Sequence, residues 1–285
     1  MITKGNFLLL ESSEFFGWLQ QQKISRTITK LQVHHTWLPN YATRKNQDHF
    51  KCLEGIRNTH LANGWNGTGQ NITIFEDGKI AISLDRNLNT IPAGIKGANT
   101  GALCVEIIGN FDIGGDTMTD LQRQAVLHLY ACLAIKLNIP VDTNHIVYHA
   151  WYTPAGDWLG DYIQGRSSKT CPGTNFFGHG NTRLAASRGF IPGIQAEVQR
   201  IKNGDGEAMT TAEKKQMDDL KATVDAQSKW IEAEKAKANM TCPSWAKSAY
   251  EFYKPYISDS TGSYDFWRKL VIDYRKENGI KVQQV

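Results

Sequence analysis

Two histidines that each end an apolar stretch, His34 and His149, and a cysteine inside Lys169-Thr170-Cys171-Pro172 stand far apart along the chain. No local finger can join them, so a fold in which they meet must bring separate strand ends together. Their chemistry gives them a reason to meet. Two imidazoles and a thiolate are three soft ligands, and a tetrahedral zinc on three protein ligands keeps a fourth position for water, whose pKa falls to about 7. Three ligands mark a hydrolytic centre, whereas four would mark a structural one.

The hydrophobic pattern supplies strands of this kind. Ile28, Leu31 and Val33 with their β-branched neighbours predict a strand over 27–35, and the period of two points His34 away from the face of Leu31 and Val33. Residues 71–84 carry Asp77-Gly78 between two apolar runs, the signal of a hairpin. Residues 102–109 are almost continuously apolar and predict a buried central strand with one carboxylate, Glu106, in its middle. Ile146-Val147-Tyr148-His149 is a further short strand. Helices are expected over 12–21, with Phe15, Phe16 and Leu19 on one face, and over 46–62. Another runs from Thr119 to Pro140, where Thr119 and Gln122 form a capping box and Leu121, Ala125, Val126, Leu129, Leu133 and Leu137 form one stripe. Pro192 sits in the permitted first turn of a last helix containing Ile194, Val198 and Ile201. These elements make an α/β domain over residues 1–203.

Asn203-Gly204-Asp205-Gly206 breaks the pattern, and 204–209 reads as a linker. The remainder, 210–285, is a small all-α domain. It has a long helix over 210–240 and two more around Trp245, Ala249 and Phe252 and around Trp267, Leu270, Val271 and Tyr274. Met217, Val224, Ile231 and Ala238 recur at seven-residue spacing, but polar Gln227 and Glu234 occupy the companion positions. A bundle helix is therefore expected rather than a coiled coil.

Composition narrows the class. A net charge of +4 without a basic cluster excludes the usual nucleic-acid footprint and suits an anionic polymer such as a bacterial wall. Five cysteines, an odd and sparse set, indicate synthesis in a reducing compartment. Phe7-Leu8-Leu9-Leu10 is too short for a secretory signal or a transmembrane helix, so neither export by a signal nor membrane insertion is expected.

The motifs His34-His35-Thr36 after a strand, a second strand-terminal His149, and Lys169-x-Cys171-Pro172 resemble those of zinc amidases of the phage-lysozyme and peptidoglycan recognition protein superfamily. The hairpin, the Glu-bearing strand and the long helix follow in matching order over roughly residues 12–202. The resemblance implies a central mixed sheet flanked by helices. It also implies one Zn2+ on His34, His149 and Cys171, and cleavage of the amide between N-acetylmuramic acid and L-alanine of the peptidoglycan stem. Glu106 matches the catalytic Glu of the phage-type enzymes and would act as general base and acid, a structural ion pair being its alternative. Lys169 matches the lysine that steadies the developing oxyanion. Some relatives use a tyrosine where this chain has Gln70, and others carry a His-Ala pair where it has Pro92-Ala93-Gly94. Asn99 matches a recurring asparagine and is a substrate-binding candidate. The segment between His149 and Cys171 is longer than in many relatives. Its aromatic residues Trp151, Tyr152, Trp158 and Tyr162 either wall a substrate groove, with Trp151 and Tyr152 as contacts, or fold on a cluster of their own. His35, His49, His60, His128, His145 and His179 are read as structural. Together with the tail and the reducing cysteines, the resemblance suggests a phage endolysin made in the host bacterial cytoplasm and released to the wall. The tail would then grip the wall or form a homo-oligomer. A non-catalytic peptidoglycan receptor on the same fold is the rival, and such receptors typically lose the cysteine ligand that this chain keeps.

Overall fold

The apolar run at 102–109 forms the middle of a seven-stranded mixed sheet. The computed structural model describes residues 1–204, 211–258 and 260–282, with the backbone alone over 211–218. Two compact units divide between residues 208 and 209, and beyond Gly204 the expected linker lies outside the described residues.

The first unit runs β1 (Ile2–Lys4), β2 (Phe7–Leu10), α1 (Ser12–Gln21), β3 (Lys30–His35), α2 (Tyr41–Arg44), α3 (His49–Ala62), β4 (Ile72–Ile74), β5 (Ile80–Ser83), β6 (Ala102–Ile107), α4 (Asp120–Leu137), β7 (Ile146–Tyr148), α5 (Arg183–Arg188) and α6 (Phe190–Lys202). Spatially the strands follow the order β1-β2-β5-β4-β6-β3-β7. The β1, β2, β5 and β4 neighbours pair antiparallel, whereas β4, β6, β3 and β7 run parallel. Gly78 closes the β4–β5 hairpin at φ +84, a conformation open to glycine, as the Asp-Gly signal requires.

Both faces of the sheet are covered. Leu31 and Val33 of β3, Leu103, Val105 and Ile107 of β6, and Ile72 and Ile74 of β4 share one core with α1, α4 and α6. Phe7, Leu9, Phe75 and Ala81 meet Cys52, Leu53 and Ile56 of α3 on the other. Parallel strands buried on two sides need such runs of apolar residues, which is why β6 shows no alternation.

Several local expectations change. Phe7–Leu10, read only as too short for a signal, is strand β2, its hydrophobicity used in the sheet. The helix over 120–137 has half a capping box. Thr119 accepts from the Gln122 N–H, but the Gln122 amide turns into the core, donating to the Ile108 carbonyl at 2.8 Å and accepting from the Tyr41 hydroxyl. Leu121 leaves the stripe and is exposed, since it lies in the first turn beside the hairpin. His149 falls just past β7, in a single 3-10 turn over His149–Trp151.

The second unit has α7 (Thr211–Ala238), β8 (Met240–Thr241), α8 (Lys247–Tyr253), β9 (Thr261–Gly262) and α9 (Tyr264–Glu277). Its helices are joined by one β8–β9 ribbon. Its core is Ala246, Ala249, Trp267 and Val271, with the Trp267 indole donating to the Met240 carbonyl at 3.2 Å. The expected bundle role of α7 is not met within this unit. Val224 and Ile231 are exposed, and the polar companions Gln227 and Glu234 leave the stripe too thin to build a core; the Met217 side chain lies outside the described residues. No helix among the described residues is long and apolar enough to cross a membrane.

Candidate metal and catalytic site

Three adjacent parallel strands end at one place. In the β3–β6 register His34 stands opposite Glu106, and Val33 pairs with Tyr148, the last residue of β7 before His149. Period two does the rest: Gln32 and His34 on β3, with Cys104 and Glu106 on β6, face away from α4. Clefts of α/β sheets open at this carboxyl edge of the strands. Cys171 arrives from the loop before α5, its carbonyl accepting from the Ala150 N–H at 2.7 Å and its sulfur from the His35 N–H at 3.4 Å.

The ligand atoms of His34, His149 and Cys171 lie within 4.8 Å of one another. His34 Nδ1 and His149 Nδ1 face each other at 3.2 Å. Tetrahedral zinc with Zn–N bonds of about 2.0–2.1 Å implies a nitrogen–nitrogen edge of about 3.3 Å, so this donor set fits the ion. A second group, His34, Cys104 and Glu106, also lies within 4.8 Å, but it lacks such a facing pair of donors.

Electrostatics agree with a site that takes a cation. Burial first, then the charges of His149 and Lys169, holds His34 well below its ordinary value, and burial with Lys169 brings His149 down to about 4. Both rings are thus neutral and ready to ligate. Burial, with Glu106 adding to it, pushes the Cys171 thiol up, so a metal must displace its proton to bind. Burial raises Glu106 to about 7, with Lys169 partly opposing. Among the described residues the Glu106 carboxylate has no hydrogen-bond or ion-pair partner, and it opens onto the cleft. This carboxylate therefore titrates in the range where a proton carrier works.

A family profile described as N-acetylmuramoyl-L-alanine amidase matches residues 24–174, more than half of the chain, and the match spans His34, Glu106, His149, Lys169 and Cys171. The chain belongs to this amidase family. Among solved structures it is similar to the N-acetylmuramoyl-L-alanine amidase LysC from Clostridium intestinale URNW, at 24% identity and TM-score 0.39, over 54% of this chain and 83% of that one. It is also similar to Drosophila PGRP-LB, at 20% identity and TM-score 0.40, over 58% and 82%, and to bumblebee PGRP-SA, at 19% and 0.40, over 58% and 87%. Comparison with curated proteins gives no match.

In this amidase-family chain the cleft encloses about 490 Å3 and is lined by His34, His149 and Cys171 together with Glu106 and Lys169. The three substrate candidates sit elsewhere. Trp151 is 0% exposed, stacks on Tyr148 at 4.5 Å and donates its indole N–H to the Asn181 carbonyl. Tyr152 is buried against Trp158. Trp151 and Tyr152 join the main core of the domain, because the turn after β7 sends Trp151 back toward it. Asn99 is a loop organiser: its Oδ1 accepts from the Gly94 and Ile95 N–H groups at 3.0 Å each.

The aromatic wall of the cleft comes instead from residues not singled out. Trp37, 55% exposed and held at φ +58, and Leu38 line it three and four residues after the first ligand. Trp65 stacks on His60 at 4.6 Å on the other side, and the His60 Nδ1 accepts from the Gly69 N–H. Trp65 in the polar, turn-forming Asn63-Gly64-Trp65-Asn66-Gly67 is the signal that could have found this wall, since a large ring there has no local apolar partner. His35, read as structural, also reaches the cleft, with its Nδ1 accepting from the Phe111 N–H at 3.1 Å.

Proposed function

We propose that this member of the amidase family is an active, zinc-dependent peptidoglycan hydrolase. It cuts the amide between the lactyl group of N-acetylmuramic acid and the first L-alanine of the stem peptide. The observation that carries this reading is the pair of neutral imidazoles facing at 3.2 Å beside a buried thiol, with a partnerless carboxylate across the strand register.

When bound, zinc supplies the Lewis acidity that amide hydrolysis needs at neutral pH. Glu106, when ionised, takes the proton of the attacking water on a carboxylate oxygen and returns it to the leaving amine. Lys169 is exposed at the rim with no ion-pair partner among the described residues. Its ammonium offsets negative charge growing on the scissile carbonyl oxygen. Trp37 and the Trp65–His60 stack give the cleft apolar faces suited to sugar rings and peptide stems. A receptor on the same fold would have no use for Glu106 and Cys171 in this arrangement.

Incubating the zinc-loaded chain with purified peptidoglycan and assaying both kinds of new end tests the reading. New N-terminal alanine is expected; new reducing sugar without free alanine would overturn it. We further read the protein as a phage endolysin whose second unit grips the wall through exposed Trp245 and Tyr256. Sedimentation of the full chain with walls should then fall on Trp245→Ala and Tyr256→Ala substitution, whereas a self-association unit would leave sedimentation unchanged.

A further inference from the structure

Of the three candidate ligands, Cys171 has the least local support. His34 lies on β3 and His149 directly follows β7, whereas Cys171 sits in the loop before α5, at the far end of the long segment that begins after His149. Its place must be set by contacts across the fold. Asp112, in the segment after β6, makes two of them. One carboxylate oxygen accepts from the Thr170 hydroxyl at 3.1 Å and the other from the Thr174 N–H at 2.9 Å, so a single side chain holds the loop on both sides of Cys171. The backbone beside it closes the contact. The Asn175 N–H donates to the Phe111 carbonyl at 2.8 Å, and the Ile113 N–H donates to the Thr174 hydroxyl at 2.9 Å. Gly173, at φ +126, lies so near that a Cβ there would overlap the Phe111 carbonyl.

We infer that Asp112 is a positioning residue for the third ligand: its carboxylate clamps the 170–174 loop so that the Cys171 sulfur stands beside His34 and His149. The assignment rests on the proposed zinc site. A ligand on an unfixed loop must be ordered when the metal binds, and that lost entropy subtracts from affinity; a loop already held avoids the loss. Residues that orient ligands from outside the coordination sphere are worth about 10–100-fold in metal affinity. Asp112 also follows the strand that carries Glu106, so the same segment sets the thiol against the carboxylate.

Zinc affinity of the full chain, measured by competition with a chromophoric chelator, tests this without reference to catalysis. Asp112→Ala removes both hydrogen bonds and is expected to bind zinc about 10–100-fold more weakly. Asp112→Asn keeps both, because its oxygen still accepts from the Thr174 N–H and its amide donates to the Thr170 oxygen; wild-type affinity is expected. Unchanged affinity in Asp112→Ala overturns the inference. Equal weakening in both variants also does, since the role would then lie in the charge. Should Asp112→Ala fail to fold, Thr170→Val decides. It removes one of the two bonds at nearly constant shape and is expected to weaken zinc binding about tenfold, whereas unchanged affinity overturns the clamp. Cobalt in place of zinc shows where the loss arises. The thiolate-to-cobalt absorption per bound ion is expected to fall in Asp112→Ala, and a full-strength band there would place the effect away from Cys171 and refute the inference. A wild type that binds no zinc would bring down the proposed function as well, whereas zinc binding with an unaffected Asp112→Ala brings down the clamp alone.

Discussion

Replacing Glu106 by glutamine should stabilise the metal-free protein, and only at neutral to alkaline pH. Burial raises the carboxyl from an ordinary 4.5 to about 7, so folding disfavours its charged form. The sign follows from proton counts. Between about 4.5 and 7 the folded state holds the proton and the unfolded state does not, so stability falls as pH rises through this window. Below it the cost is absent, and above it the cost is complete. At 1.36 kcal/mol for each tenfold change in proton affinity, the full cost is about 3 kcal/mol. Water in the cleft at the carboxylate makes this an upper figure. The glutamine side chain keeps the shape and carries no charge, so Glu106→Gln should gain up to about 3 kcal/mol near pH 8 and almost nothing near pH 5. Urea titration of the chelator-treated full chain, read by hydrogen exchange of β6 peptides, isolates the first unit. A variant no more stable than wild type near pH 8, or an advantage that persists unchanged near pH 5, would refute the reasoning.

The same substitution in the zinc-loaded protein should retain the metal and lose about 10²–10⁴-fold in peptidoglycan cleavage, and wild-type cleavage should fall on acidification as Glu106 takes up its proton; full activity in the variant removes Glu106 from catalysis. Zinc binding near pH 8 should release about two protons, one from the Cys171 thiol and one from the water in the fourth position, because His34 and His149 are already neutral; calorimetry in buffers of different ionisation enthalpy measures it, and a Cys171→Ala variant that releases as many would mean the thiol is not a ligand. Trp65→Ala should raise KM for peptidoglycan with little loss of stability, whereas Trp151→Ala should cost about 3–5 kcal/mol with KM unchanged in the protein that folds, and the reverse pattern would return the groove wall to the long segment. Trp267→Ala should unfold the second unit, whose four-residue core it dominates, while leaving zinc affinity intact.

What the sequence disclosed about the site was written in strand periodicity. His34 and Glu106 each occupy a position that alternation assigns to one face, and a carboxylate in an apolar strand advertises its own cost. Both are local properties, so they survive without knowledge of the fold. The wall residues depend on tertiary geometry. Trp151 and Tyr152 follow a ligand in sequence, yet β7 ends at Tyr148, and the single turn after it carries the next rings into the core. Trp37 also follows a ligand, but its backbone turns to φ +58, with its N–H on the Gly109 carbonyl, and the ring goes to the cleft. Two aromatic residues close behind a ligand in sequence thus end in different surroundings, Trp151 in the core and Trp37 at the cleft, a difference that hydrophobicity does not encode. Gln32 extends the point. In sequence it is a polar interruption of a strand, and only the fold shows its amide donating to the Ala98 carbonyl, with its oxygen packed beside Gly94 and Cys104. The first ligand is therefore legible in the alternation along β3, whereas the burial that holds its ring neutral comes from residues that meet only in the folded chain.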